Sequence, residues 1–210
     1  KESVIDIYAG SIGELSAPGG LSVSFDGNAV VNDVLNTAGD LTIDMGSANL
    51  TMGTAAAFRA GGNLTLTGSG GNFALAELQA GDDKTLTVST TGNVTGRNDL
   101  SVAHLTGGQV VLSGANLGSS TQALELVSTP SGTPTVDGSV RLVSVTGDAY
   151  LSLTNPLNTD ANTTRQTVVL DAVTSAWDVA GSLAIDTTTA NLEIKGAIVA
   201  ESASIAAAGT

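Results

Sequence analysis

Gly62-Asn63-Leu64-Thr65-Leu66-Thr67 is a Gly-containing corner followed by leucines that alternate with threonines. The same phrase returns as Gly19-Gly20-Leu21-Ser22-Val23-Ser24-Phe25, as Gly39-Asp40-Leu41-Thr42-Ile43-Asp44-Met45 and as Gly181-Ser182-Leu183-Ala184-Ile185-Asp186. Alternation at period two marks a strand with one buried face. The leading leucines at 21, 41, 64 and 86 are spaced 20, 23 and 22 residues apart, and a repeat of that length means stacked units rather than a globule. The spacing corresponds to one coil of a β-solenoid.

Working outward, Leu50-Thr51-Met52, Leu86-Thr87-Val88, Leu124-Glu125-Leu126, Leu151-Ser152-Leu153 and Leu192-Glu193-Ile194 repeat the alternation. Short strands between Gly, Asn and Asp corners leave no room for an ordinary helix, so the chain reads as all-β. A sandwich would favour Asn-Gly or Asp-Gly hairpins, and only Asp26-Gly27 and Asp137-Gly138 have that order. The commoner order puts Gly first, as in Gly39-Asp40, Gly71-Asn72, Gly92-Asn93 and Gly147-Asp148. Such corners suit a triangular coil. Six aromatic residues are also few for a wide sandwich core. The expected fold is a right-handed parallel β-helix, about 20–23 residues per coil, across residues 1–210 as a single segment. Its length corresponds to about ten coils, a rod on the order of 50 Å long at a rise of about 4.8 Å per coil.

Composition narrows the partners. Seven basic and twenty acidic residues give a net charge of −13, which repels nucleic acid and anionic membranes. Without Cys, disulfides and thiolate metal sites are excluded. No apolar run approaches the roughly 20 residues needed to cross a bilayer as a helix, so membrane insertion is not expected. An opening at Lys1-Glu2-Ser3, without Met or a signal-like stretch, is the one expected of a piece of a longer mature protein.

Regularity weakens after residue 100, where spacing alone does not set the register of Val110-Val111-Leu112 or Val140-Arg141-Leu142. Two Pro-containing polar segments, near 128–135 and 155–164, are expected to leave the coil as loops, because Pro cannot donate to a strand ladder. Variable excursions on a rigid scaffold are where recognition concentrates. The candidate ligand-contact residues are therefore Thr129, Ser131, Thr133, Asn155, Asn158, Asp160 and Asn162.

The Gly-Asn-Leu-Thr-Leu-Thr phrase at 62–67, preceded by Ala60-Gly61 and followed one coil later by Ala80-Gly81-Asp82-Asp83-Lys84-Thr85-Leu86-Thr87-Val88, resembles the repeats of filamentous-haemagglutinin-like exoproteins. The resemblance covers residues 19 to 120 best. It implies an extracellular rod on a bacterial surface, exported through an outer-membrane transporter. It also implies attachment to a host or bacterial surface glycan or protein, or to exopolysaccharide. Neither a secretion cap nor a terminal toxin module is recognisable.

Catalysis and cofactors are not expected. Asp82-Asp83 is followed at once by Lys84 and reads as a solvated corner rather than an acid–base pair. His104, the single imidazole, reads as a satisfied, partly buried side chain, and Trp177 as core rather than a sugar platform. The Gly-Gly-X-Gly-X-Asp repeat of calcium-binding rolls is absent. Asn49, Asn63, Asn93 and Asn162 begin Asn-X-Ser/Thr sequons. Thr65 with Thr67, Thr85 with Thr87, Ser22 with Ser24, and Ser152 with Thr154 raise the prospect of ordered hydroxyl rows, as in an ice-binding solenoid. A polysaccharide-degrading β-helix and a toxin-delivery shaft are the other competing classes.

Overall fold

The computed structural model describes residues 3–7, 10–12, 15–97, 103–128, 138–154, 167–187 and 191–207. Among them there is no helix. The first coil comprises β1 (Ser3–Ile7), β2 (Gly10–Ile12) and β3 (Leu15–Ala17), and the second β4 (Leu21–Phe25), β5 (Ala29–Val31) and β6 (Val34–Thr37). Next come β7 (Leu41–Asp44), β8 (Leu50–Met52) and β9 (Ala57–Ala60), then β10 (Leu64–Thr67), β11 (Phe73–Leu75) and β12 (Glu77–Gln79). The fifth coil holds β13 (Thr85–Ser89), β14 (Val94–Gly96) and β15 (Leu105–Gly107). Later coils are simpler: β16 (Gln109–Gly114) with β17 (Leu124–Ser128), β18 (Gly138–Val145) with β19 (Ala149–Thr154), then β20 (Thr167–Thr187) and β21 (Asn191–Ala207).

These strands pair in parallel, each on its counterpart in the next coil, which makes the chain a parallel β-solenoid. The first face is the ladder β1-β4-β7-β10-β13-β16-β18-β20-β21, the second β2-β5-β8-β11-β14, and the third β3-β6-β9-β12-β15-β17-β19-β20. Leu21, Leu41, Leu64 and Leu86 stand directly over one another, as their spacing predicts. The row continues through Val110, Val140, Leu170 and Ile194, so coil length grows from 20–24 residues to 30 in two successive coils and returns to 24. Those two enlarged coils are why nine strands, rather than about ten, follow one another on the first face.

Alternation turns apolar rows inward on every face. On the first, Val23, Ile43, Leu66, Val88, Leu112 and Leu142 stack in register. On the third, Leu35, Phe58, Leu78, Leu105, Leu126 and Leu153 do the same, and all of these residues are buried. Burying each such side chain contributes about 1.5–3 kcal/mol relative to exposure. Corners between faces are tight enough to select residue type: a Cβ at Gly71 would overlap the carbonyl of Ala48 in the coil beneath.

Two irregularities explain why spacing alone loses the register after residue 100. Between β16 and β18 the pairing moves from Leu112↔Leu142 to Ser113↔Ser144, so Val143 is an extra residue, and this bulge leaves it 46% exposed. The second face then dwindles. After β14 it continues among the described residues as single positions, Leu117 bridged to Val94 on one side and Ala149 on the other, and Ala149 paired in turn with Leu183. In β19 the chain passes from Ala149 to the third-face position of Leu151 within two residues. β20 spans first and third faces as one strand, with Trp177 filling its bend. β21 packs on β20 and carries no strand on its other edge among the described residues, so Ile194 and Ile205, which stand over the buried Leu170 and Ile185, remain exposed.

Candidate functional site

Thr129, Ser131, Thr133, Asn155, Asn158, Asp160 and Asn162 lie outside the described residues. Their flanks are described. β17 ends at Ser128 and β18 begins at Gly138, while β19 ends at Thr154 and β20 begins at Thr167. Because β17 pairs with β19 and β18 with β20, both segments connect the third face to the first in consecutive coils.

Asp82 and Asp83 occupy an exposed turn between β12 and β13, with the Lys84 N–H donating to the Gly81 carbonyl at 3.0 Å. Asp83 has φ 57°, the left-handed conformation that Asp tolerates in turns. His104 is 2% exposed. Its Nδ1 accepts the Glu125 N–H at 3.0 Å, which makes Nε2 the protonated nitrogen, donating to the Arg97 carbonyl at 2.8 Å. Both ring nitrogens are committed to main chain, so His104 ties three segments together and has no lone pair left for proton transfer. Trp177 is fully buried and donates its Nε1–H to the Asp171 carbonyl at 2.9 Å.

On the first face the outward hydroxyls do form rows, in the register that the leucine spacing sets. Ser22, Thr42, Thr65 and Thr87 stack in one, and Ser24, Asp44, Thr67, Ser89 and Ser113 in the next. Thr85 stands beside Gln109 rather than in the Thr65 row. Ser152 lies on the third face, between Glu125 and Asp186. Asp44 interrupts the second row, and Val111 followed by Arg141 ends the first. Across the third face Arg59 meets Glu77 in two bonds of 2.9 Å. The hydrogen bond with Glu77 raises the Arg59 pKa against a smaller opposing effect of burial.

A second ladder runs up the corner between first and second faces. Asn28 Oδ1 accepts the Asn49 N–H, Asn49 Oδ1 the Asn72 N–H, and Asn72 Oδ1 the Asn93 N–H, each at 2.8 Å. Asn116 Nδ2 then donates to Asn93 Oδ1 at 2.7 Å, Asn116 Oδ1 accepts the Asp148 N–H, and Asp148 Oδ1 accepts the Ser182 N–H. Corners lack strand partners for their amides, and an Asn side chain supplies the acceptor at the cost of one residue per coil. Two sequon residues, Asn49 and Asn93, are thereby members of this ladder. Asn63 similarly accepts the Thr85 N–H at 3.0 Å at another corner.

Hollows flank Gly118–Ala123, where the chain leaves the coil between Leu117 and Leu124. Ser119 and Gln122 close a tight turn with reciprocal backbone bonds of 2.7 and 3.0 Å. A hollow of about 370 Å³ on one side touches Ser119, Ser120, Asp148 and Tyr150. One of about 360 Å³ on the other touches Arg97, Gln122, Glu125, Ser152 and Asp186. The sequence signal for this site is the loss of alternation between Leu117 and Leu124, a cue weaker than the Pro-containing segments. Among the described residues no three His, Asp or Glu side chains converge on a common metal position. Neither a family model, nor a curated protein, nor a solved structure matches this chain.

Proposed function

We propose that the chain is a structural or binding segment of a secreted, cell-surface bacterial adhesin, a rod that extends and makes contact without catalysis. The observation that carries the reading is the division of labour in the coils from Leu21 to Thr187. Inward positions are aliphatic and buried, while outward ones are Ser, Thr, Asn and Asp on an acidic solenoid. Additive stacking of such coils supports length and stiffness rather than an enclosed reaction site. The buried imidazole, the best acid–base candidate, is committed to main-chain bonds. Export through an outer-membrane transporter as an unfolded, Cys-free chain belongs to the same reading, as does attachment to a surface glycan, protein or exopolysaccharide.

The test is adhesion. Beads coated with the chain should attach to bacterial or host-cell layers above an inert-protein control, and attachment at the control level would reject the reading. Replacing 128–135 and 155–164 by Gly-Ser linkers should reduce attachment. Full attachment by that variant would remove the two segments as the contact.

A further inference from the structure

We propose that the depression astride the Ser119–Gln122 turn binds a neutral oligosaccharide. The inference rests on the adhesin reading and specifies its ligand chemistry. It adds a contact on the described surface to the two Pro-containing segments.

The turn is built rather than slack. Gly118 has φ +70°, and a Cβ there would overlap the Tyr150 carbonyl. The Ser119 hydroxyl accepts the Gln122 N–H at 3.1 Å in addition to the reciprocal main-chain bonds. The excursion therefore stands as a fixed ridge where the second face has given way. The hollows on its two flanks are each at the lower end of the size range for small-ligand sites. A third, of about 280 Å³, joins Tyr150 to Asp186 below the ridge. A short chain of rings draped across the ridge fits this outline, whereas a folded partner needs a broad, flat contact.

The lining selects the ligand class. Gln122 Nε2 is shielded from solvent and has no hydrogen-bond acceptor, and a buried donor left without a partner costs about 1–3 kcal/mol. It asks for an oxygen from outside. Glu125 and Asp186 offer acceptors to hydroxyl donors, Ser119 and Ser120 offer both, and the half-buried Tyr150 ring contributes an aromatic body with a polar tip. Donors, acceptors and an aromatic surface within one shallow site match a polyhydroxylated ring. Glu125 and Asp186 share one hollow with Arg97 and Asp148 lines the other, on a chain of charge −13. That field opposes uronic or sialic acids. A basic peptide is the competing cargo, but Arg97 shares the hollow of Glu125 and Asp186, which opposes a second cation there.

The test is calorimetric titration of the chain with neutral hexose and N-acetylhexosamine oligomers, with uronic-acid oligomers and with a lysine-rich peptide. Binding of a neutral oligomer is expected, weakened about tenfold or more by Tyr150→Ala and by Gln122→Leu, a loss of about 1.4 kcal/mol or more. Thr65→Val, on the first face, should bind as the parent does. Unchanged thermal unfolding of the variants distinguishes lost contact from lost fold, and Gln122→Leu provides the second readout if Tyr150→Ala unfolds. The proposal is overturned if no neutral oligomer binds, if only the acidic sugar or the peptide does, or if both folded variants bind like the parent. Bead attachment that survives Tyr150→Ala would remove this site and leave the adhesin reading standing. Oligomer binding without bead attachment would do the reverse.

Discussion

Asn72 links three coils: its N–H donates to Asn49 and its Oδ1 accepts from Asn93. Asn72→Ala leaves the Asn93 amide without its acceptor and should lower unfolding free energy by about 1–2 kcal/mol. Asn72→Asp keeps the acceptor and should cost less, since Asp148 performs the same task in a later coil. Urea titration of the two variants checks this, and equal losses would deny the ladder its role. Gly96 poses a steric test. A Cβ there overlaps the His104 ring, so Gly96→Ala should destabilise by about 1–3 kcal/mol. Gly96→Ala combined with His104→Ala should be less unstable than the sum of the single changes, and strict additivity would show that the two do not meet. Little of this was legible beforehand. The recurrence of Asn is visible in the sequence, but an acceptor 21–23 residues away is not, so Asn49 and Asn93 read equally well as sugar acceptors.

Strands were far more legible, because parity and spacing are set by the same inward row. Leu21, Leu41, Leu64 and Leu86 could be aligned from number alone, since each coil between them varies by only a few residues. Val140 could not, because a 30-residue coil separates it from Val110, and the bulge at Val143 then shifts the pairing of the residues that follow. The turn at Ser119–Gln122 was hidden for a related reason: its polar residues look like any corner until Leu117 and Leu124 are assigned to different faces. Position within a strand row should also govern mutational cost. Leu66 is fully buried between Ile43 and Val88, and Leu66→Ala should cost about 2–5 kcal/mol. Ile194 tops the equivalent column of inward positions with 48% of its surface exposed, so Ile194→Ala should cost well under half as much. Denaturant unfolding of both variants makes the comparison, and equal losses would mean that β21 is covered in solution.

At the scale of the whole molecule, every strand pair joins adjacent coils, so stability should vary along the rod. Amide exchange should be slowest in Leu64–Thr67, which has strands on both sides, and fastest in Asn191–Ala207, which has one. Uniform protection would instead make the solenoid a single cooperative block. The parallel ladder has one more consequence, which is mechanical. Its hydrogen bonds lie along the rod, so tension applied to the two ends pulls coils away one rung at a time rather than shearing a whole sheet. A coil of 22 residues, such as that from Leu64 to Leu86, occupies about 4.8 Å of rod but about 75 Å when drawn out. Each rung is thus a reel of slack, and the rod can lengthen many-fold under load while the remaining coils stay wound.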